Sequence, residues 1–216
     1  MNPAATGPLA SAPDRELLAA LSPTAVIFDF DGTLVDTSTL NTDAARASFT
    51  DLDLPVPEPW LHNAPLADLT ALRELLHRDL GLRLPDTDSE FVARTRAHWL
   101  TLARRARPVA RVCAAARHLA SAAVPLAVAS ANDGQVVRAG LAASGLDGLF
   151  RTVVAREHVA RLKPAPDAYL LAAARLAVPP DQCLAFENTD EGISAALGAG
   201  IPVIDIRDRT WNARRP

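Results

Sequence analysis

The run AVIFDFDGTLVDT (25–37) leads an apolar segment into two aspartates, Asp29 and Asp31, with one phenylalanine between them and Gly-Thr behind. Unpaired charge at the tip of a buried strand is costly, so these carboxylates need cations in the same place. Other polar residues stand close behind other short apolar runs: Ser130-Ala131-Asn132 after PLAVA, Lys163 in RLKPAPD, and Glu187-Asn188-Thr189-Asp190 after CLAF. A hydroxyl, a lysine and several acids gathered in one crevice suit phosphoryl transfer. One carboxylate can attack phosphorus and form an aspartyl-phosphate. A second carboxyl can protonate the leaving oxygen and then take a proton from water. Lysine and a metal ion offset the charge on the transferring group. Magnesium is the natural ion, because it takes oxygen ligands and bridges carboxylate to phosphate. Gly32 lets the backbone turn tightly beside the phosphate.

These residues reach one crevice only if the apolar runs are strands of one sheet. The runs are AVIFDF (25–30), PLAVAS (125–130), TVVA (152–155), CLAF (183–186) and IPVIDI (201–206). Each is too short for a typical helix, and most lack polar alternation, the pattern of strands buried on both faces in a parallel sheet. Helical patterns fill the gaps: residues 111–122; residues 133–144, stopping at Gly145; residues 166–177, opened by Pro166; and a stretch from a Thr189 cap to Gly200. Strand and helix alternate, which predicts an α/β fold with a doubly wound sheet. Ligands of such sheets bind at the carboxyl ends of the strands.

One stretch breaks the alternation. Residues 38–50, 66–80 and 88–107 read as helical, and LPVPEPW (54–60), with three prolines, cannot be helix interior. The expected organisation is an N-terminal extension (1–24), an α/β core (25–36 and 111–216) and a helical cap inserted after the first strand (37–110).

Composition narrows the function classes. Hydrophobic residues make up 49% and the net charge is −3, a globular balance with no basic run pointing to nucleic acid. The closing RDRTWNARRP reads as a short solvated tail. Cys113 and Cys183 are far apart and outside any CxxC, so buried thiols in a reducing compartment are expected. No signal peptide and no membrane span are read from the sequence, and the expected location is the cytoplasm.

DFDGTLVDT resembles the first motif of the haloacid dehalogenase-like hydrolase superfamily. Ser130, Lys163 in KPAPD, and FENTDEGISAALGAG follow in the order of its second, third and fourth motifs. The helical insertion is similar to the cap of the beta-phosphoglucomutase-like branch. Within that branch, VVAREHVARLKPAPDAYLLAA and PPDQCLAFENTDEGISAA most resemble the small sugar-phosphate phosphatases of the fructose-1-phosphate and 6-phosphogluconate type. The resemblance implies a magnesium-dependent phosphatase acting on a small phosphorylated metabolite, as a monomer. It implies Asp29 as nucleophile and Asp31 as general acid and base, with its backbone carbonyl on the metal. Thr33 would support the loop, Ser130 and the Ala131 amide would hold phosphate oxygens, and Lys163 would pair with both phosphate and Asp29. The metal would fall to Asp29, Asp31, Glu187 and Asn188.

Two departures from the pattern stand out. The second position of the fourth motif is usually an acid and here is Asn188, which brings an amide oxygen without charge. The cap loop LHNAPLAD (61–68) has Asn63 at the usual glycine position and no lysine or arginine before Arg73. His62 and Asn63 are left as candidates for substrate contact. Missing basic residues argue against a bisphosphate intermediate, and so against a phosphomutase. The remaining alternative is a catalytically impaired binding or regulatory protein.

Overall fold

The computed structural model describes residues 11–66 and 68–216; the first part of the expected N-terminal extension and position 67 of the cap loop lie outside the described residues. The remainder of the extension is not featureless. Residues Ala12–Leu21 form α1, capped by the Ser11 hydroxyl.

The sheet is built from the anticipated apolar runs. Its parallel strands are β1 (Ala25–Phe28), β4 (Leu126–Ala129), β5 (Thr152–Val154), β6 (Cys183–Glu187) and β7 (Val203–Asp205). The order across the sheet is β5-β4-β1-β6-β7, with β8 (Ala213–Arg214) antiparallel at the β7 edge. β1 is central: Phe28 lies beside Val128 on one side and Phe186 on the other. The chain first winds outward from β1 to β4 and β5, then returns to lay down β6 on the opposite side. The carboxyl ends around β1 are therefore the switch point where a ligand crevice is expected.

Helices cover both faces. Alternate strand residues point to opposite sides. Ala25, Ile27, Ala127, Ala129 and Ala185 pack with α8 (Asp167–Leu176) and α9 (Asp190–Gly198) through Tyr169, Ala172, Ala173, Ile193 and Ala196. On the other face Phe28 stacks on Phe186 with ring centroids 4.9 Å apart, and Trp211 meets Phe186 edge-on at 5.2 Å. Helices α6 (Ala110–Ser121) and α7 (Gly134–Ala143) complete the core.

The closing run is largely exposed, apart from one ring. Trp211 is buried, the Arg111 guanidinium lies 3.8 Å from its ring centroid, and Arg214 bonds Asp205. A tryptophan in a polar run found an apolar surface, and its neighbours became an edge strand.

Contacts divide the chain into two units, Met1–Asp36 with Arg107–Pro216, and Thr37–Ala106. The second unit ends short of the expected boundary at 110. The reason is a two-residue ribbon missed in the sequence: β2 (Val35–Asp36) pairs antiparallel with β3 (Arg107–Pro108). The helical run from 88 therefore stops at Leu102 and a short 3-10 turn.

The inserted unit is helical: α2 (Ser38–Asp51), α3 (Glu58–Leu61), α4 (Leu69–Leu80) and α5 (Asp88–Leu102). Its own core includes Phe49, Leu61, Leu72, Leu76 and Phe91. Thr87 and Glu90 form a capping box at α5, and Asp68 caps α4. The proline-rich segment does contain one helical turn. Pro59 is tolerated there because it sits in the first turn, where no N–H is needed.

Candidate active site

Strand β1 delivers Asp29. Its backbone N–H still donates to the Phe186 carbonyl at 3.0 Å, in continuation of the sheet. The chain then folds back tightly, with the N–H groups of Leu34 and Val35 both donating to the Phe30 carbonyl and Gly32 N–H donating to Val35. Gly32 has φ +76°, and a Cβ there would collide with the Asn188 carboxamide. Thr33, fully buried, donates from Oγ1 to Asn188 Oδ1 at 3.2 Å. The loop after β1 is thus clamped to the loop after β6.

Strand β4 delivers Ser130, whose N–H donates to the Val154 carbonyl. Ala131 follows, half-buried. Asn132 turns toward Asp31: its Nδ2 donates to Asp31 Oδ1 at 3.2 Å and Oδ2 at 3.3 Å. Ser130 Oγ reaches Asp31 Oδ2 at 3.4 Å. Asp133 then caps α7.

Lys163 comes from the loop before α8. Its Nζ lies 2.7 Å from Asp29 Oδ1 and also bonds Glu187 Oε1. Glu187, at the end of β6, is completely buried. Tyr169 of α8 donates to Glu187 Oε1 at 2.9 Å, while Oε2 accepts from the N–H groups of Asn188 and Thr189. Gly192 packs so closely that any Cβ would overlap this carboxylate.

The electrostatics follow from burial. The Asp29 carboxyl is pushed up to about 7, first by desolvation and then by Glu187, against the pull of Lys163. Burial alone would lower Lys163, but its two carboxylates hold it well above the usual lysine range. Burial and then Glu187 raise the Tyr169 phenol strongly, so it stays a donor. Asp29 Oδ2 takes no hydrogen bond from a described residue, yet solvent reaches it, with 9% of the side chain exposed. One oxygen of Asp29 is held and the other faces outward.

The core thus brings together Asp29, Asp31, Thr33, Ser130, Ala131, Lys163, Glu187 and Asn188. Among them Glu187, expected as a metal ligand, has both oxygens engaged by protein donors: Oε1 by Lys163 and Tyr169, Oε2 by the backbone N–H groups of Asn188 and Thr189. His62 and Asn63 belong to the inserted unit and take local partners: His62 Nδ1 meets the Glu58 carbonyl at 2.7 Å, and Asn63 Nδ2 donates to the Pro59 carbonyl at 3.0 Å. Sequence reasoning passed over Asn132 and Tyr169. Asn132 was legible only as a polar residue behind β4. Tyr169 was masked by its helical spacing, which reads as core, although a lone phenol in an Ala/Leu face is itself a signal.

For magnesium, the donor set fits. Three carboxylates share this region with one lysine, and the outward Asp29 oxygen and the Asn188 amide oxygen are hard donors of the kind the ion prefers. Among the described residues no three His, Cys, Asp or Glu side chains form a ready-made cluster.

The sequence matches the family profile of haloacid dehalogenase-like hydrolases over residues 23–200. The chain belongs to this hydrolase family. It is 32% identical over 185 residues to hexitol phosphatase A of Escherichia coli, covering 83% of this chain and 81% of that protein. It is 46% identical over 83 residues to the fructose-1-phosphate phosphatase YqaB of Escherichia coli, a match spanning 38% of this chain and less than half, 44%, of that protein. In fold it is similar to CbbY from Rhodobacter sphaeroides in complex with xylulose-(1,5)bisphosphate, with TM-score 0.76, 23% identity, and coverage of 89% of this chain and 92% of that one. The family expected from the motifs and the doubly wound fold are both borne out. Among the described residues no helix is long and apolar enough to cross a membrane.

Proposed function

We propose that the protein is a magnesium-dependent phosphatase that hydrolyses a small phosphorylated metabolite, a sugar or sugar-alcohol phosphate, through an aspartyl-phosphate on Asp29. The observation that carries this reading is the state of Asp29: Oδ1 is fixed by the buried Lys163 ammonium while Oδ2 is free toward solvent. Similarity to phosphatases of hexitol and fructose 1-phosphates supports the substrate class.

In this reading Asp29 Oδ2 attacks phosphorus. The bond to the leaving oxygen breaks, and that oxygen takes a proton from the Asp31 carboxyl, giving the alcohol and a phosphorylated Asp29. Water then attacks phosphorus and returns a proton to Asp31, which releases inorganic phosphate and regenerates the Asp29 carboxylate. Ser130 and the Ala131 amide hold phosphate oxygens, and Lys163, bonded to Asp29, pairs with the phosphate as well. Asp29, the Asp31 carbonyl and Asn188 would hold magnesium, which supplies charge neutralisation for the phosphoryl oxygens. His62 and Asn63 are proposed as contacts to the alcohol portion of the substrate.

The test is a phosphate-release screen across sugar, sugar-alcohol and other metabolite phosphates with magnesium. Turnover of members of the first two classes, abolished by Asp29→Asn, is expected, with mass spectrometry of quenched enzyme locating phosphate on the peptide holding Asp29. Turnover that survives Asp29→Asn overturns the mechanism.

A further inference from the structure

We infer that Asn132 is a positioning residue that aims the Asp31 carboxyl at the leaving group; this rests on the phosphatase reading above. The argument starts with the side-chain amide, whose orientation is fixed. Asn132 Oδ1 accepts the Asp133 N–H at 2.8 Å, so the NH2 end must face the other way, where it donates to both oxygens of Asp31. The backbone of Asn132 is tied as well. Its N–H donates to Ser130 Oγ at 3.0 Å and its carbonyl accepts from Arg156 N–H at 3.0 Å. A carboxamide held through its own oxygen, on a backbone fixed at two further points, is a rigid tether for the carboxyl group in front of it.

Ser130 makes the need for this tether clear. Its hydroxyl has one proton, directed at Asp31 Oδ2 across 3.4 Å. The same hydroxyl is proposed to donate to the substrate's phosphate, and one proton cannot serve both acceptors. When phosphate takes it, Asp31 keeps the bonds from Asn132. The tether thus preserves the aim of the acid at the moment Ser130 changes partner.

The role predicts a dependence on the leaving group. An alkoxide leaving from a sugar or alkyl phosphate is a strong base and needs the Asp31 proton as the phosphorus–oxygen bond breaks. A 4-nitrophenolate is a weak base and departs without it. The ratio kcat/KM covers steps only through leaving-group departure, so it isolates this proton transfer from the later attack by water.

The experiment compares Asn132→Ala and Asn132→Asp with the parent on an alkyl phosphate and on 4-nitrophenyl phosphate. Asn132→Asp keeps the oxygen that accepts from Asp133 N–H but turns a second carboxylate oxygen on Asp31, so it preserves the turn while replacing the tether with repulsion; Asn132→Ala removes the tether without added charge. In both variants kcat/KM should fall roughly 30- to 100-fold on the alkyl substrate, in line with a misaimed acid, and stay within about 3-fold on the aryl one. Circular dichroism and thermal melting of each variant establish that the fold is retained. Equal loss on both substrates, or parent-like values on both, overturns the inference alone. A parent that releases phosphate from neither substrate overturns the phosphatase reading and this inference with it.

Discussion

The Lys163 ammonium sits 2.7 Å from Asp29 Oδ1 with only 7% of its side chain exposed, and the same ammonium bonds Glu187 behind it. Removing it leaves two buried acids facing each other, and breaking a buried ion pair by deleting one partner costs about 3–5 kcal/mol. Lys163→Met should lose stability by about that amount at pH 8 and by clearly less at pH 5.5, where protons can replace the missing cation. Urea unfolding at the two pH values checks this. An equal loss at both would mean that the lysine does not neutralise the acids. Phosphate release should fall at least about a thousandfold, since transition-state charge loses its fixed partner.

The buried Asp29 carboxyl costs the folded protein stability when it ionises. Its carboxyl is pushed up to about 7 from 3.8, by burial first and Glu187 second. The folded chain therefore holds this proton more tightly than the unfolded one. The group adds no penalty below the unfolded value. It costs increasing stability as pH climbs from there to 7, and the full penalty applies above. In metal-free protein Asp29→Asn should match the parent near pH 4 and exceed it at pH 8 by on the order of 4 kcal/mol. Parallel stability curves across that range would contradict the assignment.

Asn188 offers an amide oxygen where an acid would bring charge. Asn188→Asp should bind magnesium about tenfold more tightly, read by calorimetry on the resting protein. It should also saturate phosphate release at a lower metal concentration. Identical titrations would show that position 188 does not touch the ion.

Tyr169 donates to the same Glu187 oxygen that Lys163 bonds. Tyr169→Phe keeps the ring packing and deletes only this bond to a buried carboxylate, worth about 1.5–3 kcal/mol. Thermal and urea unfolding should show a loss in that range, and no loss would mean Glu187 finds another donor.

The parallel strands were legible because burial on both faces leaves no polar alternation: Val26 to Phe28 and Leu184 to Phe186 are apolar at every position. The insertion was legible because helical periodicity ran on where strands should have alternated. Residues whose role depends on a partner far along the chain were not. Glu187 was placed in the crevice by its motif, but that Lys163 and Tyr169 share its Oε1 shows only in the fold. Asn132 looks like a turn residue until Asp31 is found in front of it. The pairing of Val35 with Pro108 joins positions separated by the whole insertion, and two residues carry too little pattern to announce a strand.

That ribbon has an evolutionary and practical consequence. Asp36 and Arg107 are register partners, so the chain leaves and re-enters the catalytic body at adjacent points. A gene shortened to join those two positions through a two-residue Asn-Gly hairpin turn asks nothing else of the sheet. Inserts of quite different size can be accommodated between these two positions without altering the strands on either side.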